Sequence, residues 1–385
     1  MKQGKSLPQL AEELERQRQA RKDLVADTSI LTVCTDEQGK SRLQVDFGNT
    51  AEEFVLQDNA HQQIASRLQI PYRYYDKMRR EYPMLLDHNI NEWFRKDPER
   101  RMLRILDGNV RAFLSDRYRR LDNLELAEAV FPVIAQVKGS ALVSSEITQT
   151  HMYIKVINQN MRAELDVNDV VQAGIVISNS EVGIGSLKVE PLLYRLVCKN
   201  GLIIKDYAQK RYHVGRQVET TDNAYELYSD ATLQADDTAF FMKVQDTVRT
   251  SVDEMQFMMA VDKFRDTKEE KLGDDPVKTV EVLADRYILN KNESGSILRQ
   301  LLMSGDNSRF GLINAVTRAS QDIEDYNRAT ELERLGGELL SQSKMSTGIV
   351  HADLAIKSFI LTPLDMTVVE IRTFLVKNSF TAILS

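Results

Sequence analysis

Three stretches of this sequence predict an α+β fold: a mostly antiparallel sheet domain with flanking helices, followed by a helical domain. Arg101–Leu106 and Val110–Ser115 flank Asp107-Gly108-Asn109, and Asp-Gly between two such runs is a strong hairpin signal. From Ala141 to Ile204 most of the chain reads as strand, and Ala239–Phe264 is long, Met-rich and helical in period. The division that follows is an N-terminal helix (1–24), a basic α+β domain (25–216), a mainly helical domain (217–350) and a β-rich tail (351–385).

Ser6-Leu7-Pro8 opens the first helix, with Ser6 as cap and Pro8 in the first turn, and Leu7, Leu10, Leu14, Leu24 and Val25 carry its apolar face to about Ala26. Strands are expected at Ser29–Thr35, Arg42–Phe47 and Glu53–Leu56. Asn59 is expected to cap a helix that Pro71 ends, and helices follow at Tyr72–Glu81, Pro83–Lys96 and Leu124–Ile134. Further strands are expected at Ala141–Ile147, Met152–Ile157, Arg162–Leu165, Val170–Ser178 and Leu187–Val197, with Gly201 at a sharp turn. Asp275-Pro276 starts a helix through Tyr287, and Ser294–Leu302, Phe310–Ala319 and Ala329–Leu340 complete the helical set.

Of the 385 residues 42% are hydrophobic and 28% charged, enough apolar mass for buried cores. The first twenty residues hold no apolar core and no run of about 18 apolar residues occurs, so a cytoplasmic protein without a membrane partner is expected. Cys34 and Cys198 cannot build a disulfide framework or a four-cysteine site, and two buried reduced thiols are expected.

The net charge of −7 hides an asymmetry. Ile70–Arg120 holds 13 Lys and Arg against 8 Asp and Glu, and Ser186–Arg216 holds 7 against 2, each a net +5. Gln217–Asp275 holds 6 against 15, a net −9. A basic face is what phosphate binding needs, because each Lys or Arg that neutralises a phosphate releases condensed counterions. In the hairpin, Arg104 shares a face with Met102 and Leu106, Arg101 with Leu103 and Ile105, and Arg111 with Phe113. Arg117, Tyr118, Arg119 and Arg120 set three guanidiniums around one aromatic ring. Lys188, Arg195, Lys199, Lys205, Lys210 and Arg211 extend the track. Arginine forks hold phosphates and aromatic faces stack on bases. A solvated strand face with local ion pairs explains the same pattern without nucleic acid. The Tyr72–Tyr82 helix reads as core packing with a basic outer face.

No phosphate-cradling GxxxxGK[ST], HExxH or GxSxG motif is present, and Gly183-Ile184-Gly185 reads as a mobile turn between strands. His61, His88, His151, His213 and His351 form no spaced ligand pair, and Asp236-Asp237 and Asp274-Asp275 read as helix-start acids. No catalytic residue, metal or cofactor is therefore expected. Met242, Met255, Met258 and Met259 read as buried helix packing, with a flexible partner groove as the alternative.

The stretches HQQIASRLQIPYRYYDKM, NVRAFLSDRYRRLDN, GIVISNSEVGIGSLKVEPLLYRLVCKNGLI and ATELERLGGELL, in this order, resemble the phage and plasmid proteins grouped as domain of unknown function 932. The resemblance implies a phage or mobile-element setting and carries no catalytic residues. The N-terminal layout is also similar to that of RecT/Redβ-type single-strand annealing proteins, which implies oligomeric rings on DNA. The longer strand-rich middle and the acidic helical half depart from that pattern. The expected function is nucleic-acid binding without catalysis, on single-stranded DNA and as a homo-oligomer. The alternative is a phage protein that binds a host defence protein.

Overall fold

The computed structural model describes residues 1–118, 120–204, 230–250, 253–273 and 275–342. The expected tail at 351–385 lies outside them. The described chain is α+β, as expected, with its strands in two sheets flanked by helices and a helical region after them.

Helix α1 spans Leu7–Ala20, and its Ser6 amide donates to Gln9 Oε1 at 2.9 Å. Leu10 and Leu14 are buried, while Glu13–Arg16 and Glu15–Arg18 pair along the outside. The helix stops six residues before the expected end. Arg21–Asp27 is instead strand β1, which pairs with β5 (Arg100–Leu106) over its whole length. Seven residues of ladder outweigh the short apolar repeat that Leu24 and Val25 continue.

The first sheet has strand order β1-β5-β6-β4-β3-β2, with β2 Leu31–Thr35, β3 Ser41–Asp46, β4 Ala51–Leu56 and β6 Asn109–Ser115. Among its pairings β4–β6 is parallel and the rest are antiparallel. Asp107 (φ 51°) and Gly108 (φ 71°) make the two-residue turn between β5 and β6, the positive-φ geometry that matches strand twist. Helices α2 (Asp58–Arg67), α3 (Tyr72–Glu81) and α4 (Pro83–Lys96) cover one face. There Tyr75, Ile64, Ile90, Leu103, Val110 and Phe113 form one core, with Phe94 stacked on Phe113 at 5.6 Å between centroids. Tyr75 and Met78 are buried while Arg80 faces out, the arrangement expected for α3. Asn59 is no cap: it lies inside α2, and its side chain donates to the Arg111 carbonyl at 2.8 Å.

Helix α5 (Asn123–Gln136) leads to the second sheet, order β11-β10-β9-β8-β7, all antiparallel. Its strands are β7 Ser140–Ile147, β8 Met152–Asp166, β9 Asp169–Asn179, β10 Lys188–Arg195 and β11 Asn200–Ile203. β8 runs unbroken through the two strands expected at 152–157 and 162–165, with register shifts between them. Gly201 lies in β11 opposite Tyr194, and the turn falls before it, at Lys199 (φ 50°).

The helical part holds α6 Asp230–Thr250, α7 Glu254–Asp266, α8 Pro276–Tyr287, α9 Lys291–Ser304, α10 Arg309–Ala319 and α11 Tyr326–Ser341. The long helix expected at 239–264 is two helices, the second begun by Asp253, which accepts from the Gln256 amide. Asp275 caps α8 as expected, whereas Asp236 lies inside α6. Phe240, Val244 and Val248 pack with Leu126, Val130 and Ile154, and Phe257, Val261 and Phe264 pack with Val171, Leu193 and Leu312. The four methionines expected inside are all exposed, Met255 by 74%. The aromatic and β-branched residues of α6 and α7 fill the core, which leaves the methionines outside. Cys34 is also exposed and Cys198 half-buried, so neither thiol is sealed as expected.

Candidate nucleic-acid interface

The hairpin arginines point mostly inward. Arg104 on β5 is 2% exposed. Its Nη2 donates to Asp122 at 2.6 Å, its Nε to Asp23 at 3.3 Å and its Nη1 to the Glu181 carbonyl at 3.0 Å. Burial works against its charge, but Asp122, Asp23 and Glu181 outweigh it and hold the pKa above the usual arginine value. Arg111, 7% exposed, donates to Glu181 Oε2 at 3.3 Å. Arg21 pairs with Asp122, and Arg120 reaches Asp23 at 3.1 Å. Glu181 Oε1 also accepts from the Asn123 amide at 2.7 Å.

Arg111 owes its position to a bulge. Arg104 pairs with Ala112 and Ile105 with Val110, so Arg111 has no opposite residue. Val110 and Phe113 face the helices while Ala112 and Leu114 pack with Met102 and Val182. Arg111 therefore leaves the face that it was expected to share with Phe113 and joins Arg104 against Glu181. Neither arginine is placed to contact a phosphate, which corrects their expected role. The cause is the loop from Ser180 to Leu187, which covers this face of the first sheet. Val182 is buried there, its carbonyl accepting from Gln63 at 2.8 Å and Asn59 at 3.3 Å. Gly183-Ile184-Gly185 lies in the turn between β9 and β10, as expected, next to the anchored Val182.

The other expected contacts divide. Arg101 donates to Glu99 at 2.6 Å and lies over the Phe113 ring. Arg195 makes a two-point pair with Asp169, both contacts at 2.6 Å. These pairs occupy the forks expected to hold phosphates. Lys199 is exposed, but β10 rises ~3.3 Å per residue, so it and Arg195 sit at least about 23 Å of strand away from Lys188. Arg119, Lys205, Lys210 and Arg211 lie outside the described residues.

Tyr118 meets the Ser180–Leu187 loop from the first sheet, with Arg117 and Arg120 beside it in sequence, and Lys188 follows the loop in the second sheet. Tyr118 packs on Met102, Leu114 and Val182, and its hydroxyl donates to the Ser180 carbonyl at 3.4 Å. Arg117 and Arg120 flank it and are exposed. Ile184, 48% exposed, forms the crest of the loop, and Lys188 opens β10 at its far end, opposite Ser178. His151 lies against Gly185 and stacks on Tyr153 at 5.6 Å. Burial, then Arg334 and Lys188, lower its pKa.

A second polar assembly lies between the second sheet and α11. Lys155 and Glu333, both fully buried, meet at 2.6 Å, and Lys155 sits 4.7 Å from the Tyr326 ring centroid. Burial lowers the Lys155 pKa and Glu333 opposes that shift. Arg334 grips Glu190 at 2.6 and 2.9 Å and reaches Ser178 at 3.2 Å, and Tyr326 bonds Ser144 at 2.6 Å. No metal or acid–base motif marks these residues in the sequence. The one available signal is the charged Glu333-Arg334 pair inside the otherwise leucine-spaced ATELERLGGELL.

No group of three or more His, Cys, Asp or Glu among the described residues could hold a metal ion, and no described helix is long and apolar enough to cross a membrane. The fold and this surface define a two-sheet α+β protein whose charged groups are largely spent on joining its own parts. Within that class the chain belongs to the family described as a domain of unknown function (DUF932), whose sequence model matches residues 112–334, from β6 to α11. No curated protein and no solved structure matches the chain.

Proposed function

We propose that this protein binds nucleic acid, single-stranded DNA above all, on the surface around the Ser180–Leu187 loop, in the phage or mobile-element setting that its family resemblance implies. The observation that carries the reading is one anchored loop bordered from two sheets, by Tyr118 with its sequence neighbours Arg117 and Arg120 on one side and by His151 and Lys188 on the other. Beneath it the Arg104–Asp122–Glu181 network holds the loop in place, so the cations are presented on a rigid base. Three phosphate contacts on a single strand give a log–log salt slope of about −2. Fluorescence anisotropy of a labelled single strand at two salt concentrations, with a duplex control, measures it. Arg117→Ala with Lys188→Ala should weaken binding about tenfold or more, each contact being charge-assisted. Arg195→Ala, remote and internally paired, should leave it unchanged. Salt-independent affinity would sink the reading.

A second reading has its own observation. Met255, Met258 and Met259 are exposed at the i, i+3, i+4 spacing of one helical ridge on α7, with Met242 exposed on α6. Exposed methionines suit a protein partner, because thioether side chains adapt to irregular surfaces. A partner recovered from nuclease-treated host lysate by the native chain and lost with Met258→Glu supports this. Equal recovery by both removes the ridge from consideration.

A further inference from the structure

Two open sheets have four edge strands, here β1 and β2 in the first sheet and β7 and β11 in the second. A bare edge invites pairing with another chain, and folded proteins cover their edges. Three of these four are covered. Asn91 and Asp87 of α4 hydrogen-bond the backbone of β2 at Val33 and Thr35. Lys5 bridges to Ser145 of β7, its amide donating at 2.6 Å. Helix α11 lies against β11, where Gly337 approaches the Ile203 carbonyl too closely to admit a Cβ.

β1 is the exception. It pairs with β5 from Arg21 to Asp27 without a register shift, and its other edge has no backbone partner among the described residues. Val25 on it is 46% exposed.

The sequence of the strand, Arg-Lys-Asp-Leu-Val-Ala-Asp, is complementary to itself when reversed. Antiparallel pairing about Leu24 sets Arg21 opposite Asp27 of the second copy, Lys22 opposite Ala26, Asp23 opposite Val25 and Leu24 opposite Leu24. Opposite charges meet at both ends and an apolar pair sits on the axis. Moving the centre to Asp23 sets that aspartate against itself, and moving it to Val25 sets Asp23 against Asp27. A one-residue slip turns the Leu24–Ala26 face, which belongs to the helix-covered core, to the wrong side of the sheet. One register therefore satisfies both charge and face.

We propose that the edge of β1 is a homodimer interface, at which a second copy of this chain adds its own β1 antiparallel about Leu24. The two copies exchange equivalent contacts across a twofold axis.

Sedimentation of the full chain over a range of concentrations tests this, and a monomer–dimer equilibrium is expected. Asp27→Arg puts two arginines opposite each other at both ends of the pairing. It should weaken the dimer about tenfold, and Arg21→Asp combined with Asp27→Arg should restore it. Arg21 also pairs with Asp122 inside the protomer, so thermal melts of each variant separate dimer loss from unfolding. Leu24→Cys in a Cys34→Ser background should form a disulfide-linked dimer under mild oxidation, since opposite strand residues lie within disulfide reach. A monomer at all concentrations, a dimer indifferent to Asp27→Arg, a double charge swap without rescue, or no cross-link at position 24 overturns the proposal.

Discussion

Asn91 of α4 satisfies both backbone groups of Val33 on β2. The Val33 amide donates to Asn91 Oδ1 at 2.8 Å and Asn91 Nδ2 donates to the Val33 carbonyl at 2.9 Å. One side chain thus stands where a neighbouring strand would, and the sheet ends there. Asn91→Leu keeps the volume and removes both bonds. Leaving two buried backbone groups unsatisfied should cost about 2 to 4 kcal/mol, read as a lower urea midpoint at unchanged slope. The uncovered edge should also raise light scattering on concentration.

The pair between Lys155 and Glu333 has a different signature. Glu333→Gln alone strands a buried cation and should destabilise by about 3 to 5 kcal/mol. Lys155→Met together with Glu333→Leu removes both charges and should recover most of that loss, because desolvation no longer has to be offset. A double-mutant cycle by chemical denaturation measures the coupling. Equal and additive losses would mean that the pair is not the unit.

Gly337→Ala sets two effects against each other. Alanine improves helix propensity by about 1 kcal/mol over glycine. The added Cβ, however, would lie well inside contact with the Ile203 carbonyl oxygen and carbon, which are backbone atoms of a paired strand. Overpacking of this kind costs ~1–3 kcal/mol or more, so the clash wins and the thermal midpoint should fall. Gly295→Ala, on α9 with open space around it, should raise the midpoint slightly and serves as the control.

His61 predicts a pH dependence. It is buried with its Nδ1 2.8 Å from the Tyr75 hydroxyl, and burial, assisted by Arg79, lowers its pKa from 6.5 to about 4. The unfolded chain therefore binds the proton more readily than the folded one. Stability is complete above about pH 6.5 and is lost as the pH falls toward 4. The interval corresponds to about 3 kcal/mol. Urea midpoints measured from pH 7 to pH 4 should show this slope, and His61→Gln should flatten it. An unchanged slope in the variant would assign the effect to other groups, His151 among them, whose pKa is lowered in the same direction.

Much of the fold was legible in the residues. Helices α3 and α4 begin and end where the apolar spacing, Pro71 and Pro83 place them, and the β5–β6 turn lies where Asp107-Gly108 calls for it. Strand β1 was not legible, because a short run with Leu24 and Val25 continues a helical repeat as well as it alternates. Its pairing with β5 decides the matter across some eighty residues of sequence.

For the candidate site the boundary falls between composition and placement. The sequence by itself determined that the first half is basic, that the second half opens acidic, and that arginine alternates with apolar residues on the hairpin. Only the tertiary structure decided which arginines meet solvent. Alternation tells which residues share a face of a strand, but not what lies over that face. Here the Ser180–Leu187 loop, about seventy residues further on, brings the Glu181 carbonyl to Arg104 and the Glu181 carboxylate to Arg111, and with Asp23 and Asp122 on Arg104 these groups bind the guanidiniums in place of water or phosphate.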